Sequence, residues 1–298
     1  MSSHAANRRG ILALIAATAA FTVNDATVKL VTRTLPSGEI IFIRGSMTVI
    51  CLAAALAAMG QSGKIKTLLD RRVVARSFFD GCATAFFITA LVRINLADLI
   101  SIVLASPLIM TAMSVLLYKE KVGWRRWSAI TVGFIGTLFI VKPVPGSLDV
   151  WALLGLAAAF CSASRDLATH RIDPKVPTLG IGIAACVAVT ITGFLLGINE
   201  VWRMPVAGEL VKLAGASVFF SAAVCLLVIA FRGVEVSVVS PFRYMLLIWA
   251  IIAGYLILGE VPDKWAFVGG ALIVGSGIYS LHREAVRRRN LTGDIPPQ

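Results

Sequence analysis

The sequence predicts an all-α polytopic membrane protein of about ten transmembrane helices, built as two inverted five-helix repeats. Three observations carry that prediction. Hydrophobic residues make up 58% of the 298 and charged residues only 15%, with a mean hydropathy of +0.86. An ordinary soluble domain carries roughly 25% charged residues. Apolar runs long enough to cross a bilayer recur along the whole chain, separated by short polar connections. Finally, the two halves of the chain end in similar text.

A helix needs about 20 mostly apolar residues to cross the hydrocarbon core. On that rule the spans fall at 10–31, 38–59, 74–92, 97–118, 124–141, 151–169, 178–198, 210–231, 236–258 and 265–282. The first could pass for a signal peptide, with Arg8 and Arg9 before an apolar stretch and Ala17-Thr18-Ala19 at its end. Its apolar run continues through Phe21, Thr22 and Val23, so an uncleaved first helix is expected. The connections leave no room for a soluble domain, and the last residues, 283–298, form a basic tail.

The net charge of +12 sits in short loops rather than on a binding face, which speaks against nucleic acid. Lys and Arg concentrate in alternate connections: Arg8 and Arg9; Lys64, Lys66, Arg71, Arg72 and Arg76; Lys119, Lys121, Arg125 and Arg126; Arg165, Arg171 and Lys175; Arg232; and Arg283, Arg287, Arg288 and Arg289. The positive-inside rule predicts that both termini are cytoplasmic. The five cysteines (Cys51, Cys82, Cys161, Cys186, Cys225) lie inside apolar runs without CxxC spacing. They read as small apolar fillers rather than disulfides or metal ligands. His4, His170 and His282 lie at segment ends or in the N-terminal tail, so no metal and no cofactor is expected.

The halves, 10–141 and 151–282, echo each other. Leu116-Leu117-Tyr118-Lys119-Glu120 precedes a helix with Gly133 and Gly136; Leu256-Ile257-Leu258-Gly259-Glu260 precedes one with Gly269, Gly270, Gly275 and Gly277. Small residues at helical spacing let helices pack closely in lipid, and packing is the expected role of these glycines. Five spans per half is an odd number, so the second copy must be upside down. Inverted repeats of this kind recur in secondary transporters, with the substrate site between the halves.

The first span carries Asn24, Asp25 and Lys29, and the second carries Arg44. Charges at membrane depth are costly and usually face a cavity or a partner. At about 1.5 Å per residue, Asp25 lies roughly 22 Å along its helix, within about 8 Å of the outer face. Arg44 lies roughly 9 Å below the same face on the neighbouring span. An Asp25–Arg44 pair assisted by Lys29 is therefore expected as an outer gate. Arg165 and Asp166 fall within roughly 9 Å of the inner face, and Arg243 about 10 Å in, with Asp80 at similar depth. Asp80, Arg165, Asp166 and Arg243 form the expected inner gate, while Lys29, Arg76 and Arg171 have the stems to snorkel to water.

These residues carry a family resemblance. Gly38-Glu39-Ile40-Ile41-Phe42-Ile43-Arg44, Ser237-Val238-Val239-Ser240-Pro241-Phe242-Arg243-Tyr244, and the Leu-Gly-Glu ending at Glu260 resemble the drug/metabolite transporter superfamily, EamA type. Tyr118-Lys119-Glu120 departs from the usual Leu-Gly-Glu in the first half. The trio Asp25, Lys29 and Arg44 resembles the subgroup of riboflavin and S-adenosylmethionine uptake carriers. The resemblance implies a carrier of a small metabolite, by preference a vitamin- or cofactor-like substrate. An exporter of amino acids or related metabolites is the alternative.

A carrier should line its cavity with aromatic and small polar groups from mid-helix. Phe21, Asn24, Phe86, Ser164, Tyr244 and Trp249 are the expected lining, with Phe87, Ser106 and Phe160 as further candidates. A membrane enzyme would need a nucleophile, an acid–base pair or a metal cluster, and the sequence shows no HExxH, GxSxG or phosphate-cradling loop. A channel would show a filter loop, which is also missing. Without an ATP-binding sequence, transport would be secondary or facilitated. With Arg44 beside it, Asp25 is expected to act as a pairing partner rather than a proton carrier. The expected partners are the small substrate and the bilayer, with the protein a monomer or homodimer.

Overall fold

The computed structural model describes residues 4–58, 70–118, 124–141, 149–169, 172, 176, 178–231 and 240–293. Lys64, Lys66, Lys119, Glu120, Lys121, Lys142, His170, Arg171, Lys175, Arg232 and Ser237 to Val239 lie outside the described residues. In chain order the helices are α1 (His4–Val31), α2 (Ser37–Ala58), α3 (Arg71–Leu91), α4 (Leu96–Val103), α5 (Ser106–Tyr118) and α6 (Trp124–Val141). They continue as α7 (Val150–Thr169), α8 (Thr178–Leu196), α9 (Ala207–Phe231), α10 (Met245–Ala253) and α11 (Lys264–Gly293). Among the described residues, seven helical segments are long and apolar enough to cross a membrane, and Ile130–Ile140 and Phe242–Leu258 are shorter apolar helices.

Eight of the ten expected spans are single helices, and two are interrupted. The expected span 97–118 breaks at Leu104–Ala105, between α4 and α5. Pro107, in the first turn of α5, has no N–H to continue the ladder from the preceding turn. The expected span 236–258 is described from a 3-10 turn, Ser240–Tyr244, through α10 into a π-turn, Gly254–Leu258. The Ser-Pro dipeptide recurs at both departures, Ser106-Pro107 and Ser240-Pro241. α11 runs on to Gly293, so part of the expected basic tail is helical. Its arginines are good helix formers that need no lipid.

Helices pair across the two halves. The most extensive packing joins α1 with α9, α3 with α7, α2 with α8, and α6 with α11. Counted as spans, these are 1 with 8, 3 with 6, 2 with 7, and 5 with 10. Exchanging the halves swaps the first two pairs and returns the last two to themselves. Two structurally equivalent halves facing each other about a pseudo-two-fold produce this pattern. α4 and α10, the irregular spans, also touch, near the centre of the largest apolar core, where Leu96, Leu99, Ile100 and Ile273 are fully buried.

Close approach at these seams depends on glycine. A Cβ on Gly136 would lie 2.7 Å from the Gly269 carbonyl, and one on Gly193 2.6 Å from the Phe42 nitrogen. One on Gly277 would overlap the Tyr244 hydroxyl. Hydrocarbon offers helices no hydrophobic drive to associate, so such backbone contact supplies the packing. Gly136→Val is expected to force α6 and α11 apart at a cost of about 1–3 kcal/mol. Thermal unfolding in detergent checks this, and an unchanged midpoint would show that the seam is dispensable.

Candidate functional site

Charged residues collect at two ends of the helix bundle, and a third polar group lies between them. At one end, α3 presents Arg76 and Asp80 one turn apart on one face, and α7 presents Arg165 and Asp166. The 3-10 turn before α10 adds Arg243. These five form a ladder of alternating sign. Arg76 Nη1 lies 3.3 Å from Asp80, Arg165 Nη1 2.9 Å from the other Asp80 oxygen, and Arg165 Nη2 2.9 Å from Asp166. Arg243 Nη2 completes it, 3.7 Å from the second Asp166 oxygen. Arg165 and Asp80 are 22% and 17% exposed, shielded enough for the pairing to matter. All four residues of the expected inner cluster are thus brought together. Arg76, expected to snorkel, instead turns inward to end the ladder, because Asp80 one turn deeper offers a carboxylate within reach of its stem.

At the other end the expected trio is split. Lys29 does not assist Asp25; it forms an ion pair with Glu260 at 2.5 Å and donates to the Ile94 carbonyl. Glu260 comes from the loop after the π-turn and so reaches Lys29 better than the residue one turn below it. Its other oxygen accepts from the Leu96 N–H at 2.9 Å, one of the unsatisfied donors at the start of α4. Gly259 makes this possible. Its φ of 68° lies in the left-handed region that glycine adopts without strain, and the Glu260 N–H then bonds back to the Gly254 carbonyl at 2.8 Å. The Leu-Gly-Glu ending is therefore a clamp holding α1, α4 and the end of the ninth span.

A second group at the same end was not anticipated. Arg203 pairs with Glu209 at 2.5 Å and donates to the Thr34 carbonyl, while its backbone N–H reaches Glu39 at 3.4 Å. Glu200 accepts from the Gly38 N–H at 2.9 Å at the start of α2, and Trp202 lies against Phe42 with ring centroids 5.3 Å apart. The signal was available, since Glu200, Arg203 and Glu209 crowd one short connection in a set otherwise poor in charge.

Between the ends, Arg44 is buried. Its Nη1 donates to Asn24 Oδ1 at 3.2 Å, and the Asn24 amide donates to Asp25 Oδ1 at 2.8 Å. Asp25 and Arg44 therefore make no direct ion pair; Asn24 stands between them. The guanidinium lies over the Phe220 ring at 5.1 Å, and Phe220 meets Phe21 edge-on at 5.4 Å. Ser217 fixes the Arg44 backbone by donating to its carbonyl at 3.1 Å. Arg44 Nε has no partner.

Of the expected lining, Phe21 and Asn24 belong to this group. Among the described residues no hydrogen bond or ring contact joins Phe86, Ser164, Tyr244 or Trp249 to it. Ser164 is buried and donates to the Phe160 carbonyl at 2.9 Å, while Phe160 itself is 49% exposed. Tyr244 is buried against Gly277, and its hydroxyl and the Trp249 indole N–H are buried without a partner. Phe220 and Ser217, on α9, escaped the sequence reading because that helix carries no charge beyond its first turns.

Glu260→Gln is expected to keep the Leu96 contact through the amide oxygen yet lose the charge facing Lys29. Partly buried pairs of this kind contribute about 1–3 kcal/mol, so a fall in thermal midpoint in detergent is expected. A midpoint equal to wild type would show that the clamp is not stabilising.

A chain of membrane-spanning helices in two packed halves, with polar clusters inside, defines a polytopic membrane protein. It belongs to the EamA-like transporter family, which matches residues 8–142 and 149–281. The chain is 27% identical to the riboflavin transporter of Vibrio cholerae, over 86% of each chain. It is 25% identical to the S-adenosylmethionine uptake transporter of Rickettsia prowazekii, over 88% of each. With the pseudopaline exporter of Pseudomonas aeruginosa it shares 26%, over 90% of this chain and 94% of that one. A chain solved by crystallography superposes with a TM-score of 0.63 at 17% identity, covering 93% of this chain and 96% of that one, and supports the fold. The protein is thus a bacterial multi-pass transporter, not an enzyme, and its substrate is a small molecule.

Proposed function

We propose that this protein is a secondary carrier of the inner membrane that takes up a vitamin- or cofactor-like molecule, riboflavin or S-adenosylmethionine being the first candidates. It works by alternating access between two inverted repeats, 10–141 and 151–282, with both termini cytoplasmic. The observation that carries this reading is the ladder from Arg76 to Arg243. It ties the first half to the second at the end that positive-inside counting makes cytoplasmic, and its ion pairs can separate without breaking a helix. The Lys29–Glu260 clamp is its counterpart at the periplasmic end, with Asn24, Asp25 and Arg44 in the region between.

Purified protein in liposomes preloaded with unlabelled riboflavin, and separately with S-adenosylmethionine, tests this by counterflow of the labelled compound. Saturable exchange of either supports the carrier. Unsaturable flux would indicate a channel, and no exchange of either would overturn the substrate assignment. The likeness to the pseudopaline exporter favours a second reading, export. Complementation of a strain auxotrophic for riboflavin or S-adenosylmethionine separates the two, because an exporter will not restore growth.

A further inference from the structure

We infer that Arg44, Asn24 and Asp25 form a recognition site for a zwitterionic head group, the ammonium and carboxylate of an α-amino acid. This rests on the carrier reading and names the substrate class its central region accepts.

The first observation is an incomplete cation. Arg44 is 94% buried, as its 6% exposure implies, yet it touches no carboxylate, and its Nε N–H has no partner. Buried polar groups in native proteins are nearly always bonded, and a persistent exception calls for an explanation. Phe220 covers one face of the guanidinium, which leaves its edge for a planar acceptor. A carboxylate meets such an edge with two parallel hydrogen bonds.

The second observation is an incomplete anion. Asp25 spends Oδ1 on the Asn24 amide, and Oδ2 has no partner among the described residues. A direct Asp25–Arg44 pair would satisfy both charges and close the site. Instead the Asn24 side chain sits between them, its oxygen on the cation and its nitrogen on the anion. The opposite charges are held about one amide apart, a separation that matches the neighbouring charges of an amino-acid head.

Charge balance selects among ligands. A bare anion here would leave two negative charges facing one guanidinium, and a bare cation would leave two positive charges facing one carboxylate. In surroundings this dry either imbalance is costly. A zwitterion adds no net charge and gives each group its missing partner. Phe21, edge-on to Phe220, extends an apolar wall on which the rest of the ligand can lie. Between the two substrate candidates, the head-group chemistry favours S-adenosylmethionine, whose amino-acid end is a zwitterion with the sulfonium two carbons beyond the α-carbon, over riboflavin, which carries neither charge.

Thermal unfolding of the purified protein in detergent tests the site directly. The probes are S-adenosylmethionine, S-adenosylhomocysteine and L-methionine, against decarboxylated S-adenosylmethionine, 5′-methylthioadenosine and riboflavin. At least one of the first three should raise the midpoint in a saturable way. The probes lacking the head group should bind tenfold or more weakly. The shift should vanish in Arg44→Met and in the isosteric Asp25→Asn, which keeps the fold under test if the first variant proves hard to purify. Equal shifts from riboflavin or 5′-methylthioadenosine, no shift from any head-bearing probe, or a full shift in Asp25→Asn would each overturn the inference. S-adenosylmethionine counterflow that persists in Asp25→Asn would leave the carrier standing and remove this site. Head-group binding without counterflow would do the reverse.

Discussion

Arg165→Ala is expected to abolish transport and to destabilise the protein by about 2–4 kcal/mol. Removing one member of a buried ion pair leaves its partner's charge uncompensated, at about 3–5 kcal/mol for a fully buried pair. The residual exposure of 22% and 17% lowers the expectation here. Arg165 is the centre of the ladder, the one residue bonded to both carboxylates, so its loss leaves Asp80 and Asp166 facing each other's charge between Arg76 and Arg243. A double-mutant cycle with Asp80→Asn separates the effects. If the Arg165–Asp80 pair is the linkage between halves, the double variant should be more stable than Arg165→Ala alone. Additive losses in the unfolding midpoint would show that the two residues act independently. Transport by the double variant, assayed in liposomes, should remain impaired if the ladder is a gate. Normal flux from it would assign the ladder to stability alone.

Much of this architecture is legible in the sequence. The apolar runs fix the spans because hydrocarbon thickness leaves few alternatives. The ladder was legible because depth along a helix can be counted, and Asp80, Arg165, Asp166 and Arg243 came out at one level. What escaped has physical causes. The break at Leu104–Ala105 lies inside a continuous apolar run, where hydropathy carries no signal and only Pro107 marks the interruption. Helical spacing alone pairs Lys29 with Asp25, one turn away. A partner from a distant loop, Glu260, held by the left-handed turn at Gly259, competes successfully for the ammonium. The Leu-Gly-Glu text was visible as a mark of resemblance, but its clamp could not be read without the fold that brings α1 and α4 to it. The sequence puts Asn24 at membrane depth, and its place as a wedge between opposite charges depends on how α1 and α2 turn toward each other.

That wedge leads to the other large effect. Arg44→Met should remove binding and transport of a head-group-bearing substrate while leaving stability within about 1 kcal/mol of wild type. Burying a guanidinium is costly unless its donors are met, and Arg44 touches no carboxylate directly, so its removal does not break an ion pair of the kind whose loss is strongly destabilising. Arg44 holds one hydrogen bond to Asn24 and lies on Phe220, but its Nε is unmet. It is therefore a poor contributor to the fold for its position. A methionine keeps the contact with the ring and removes the unmet donor, while Asp25 retains its bond from Asn24. A purely structural arginine would show the opposite behaviour, losing stability and function together. Thermal unfolding and counterflow measured on the same preparation decide between the two. A well-folded Arg44→Met protein that still exchanges substrate at the wild-type rate would place recognition elsewhere in the bundle.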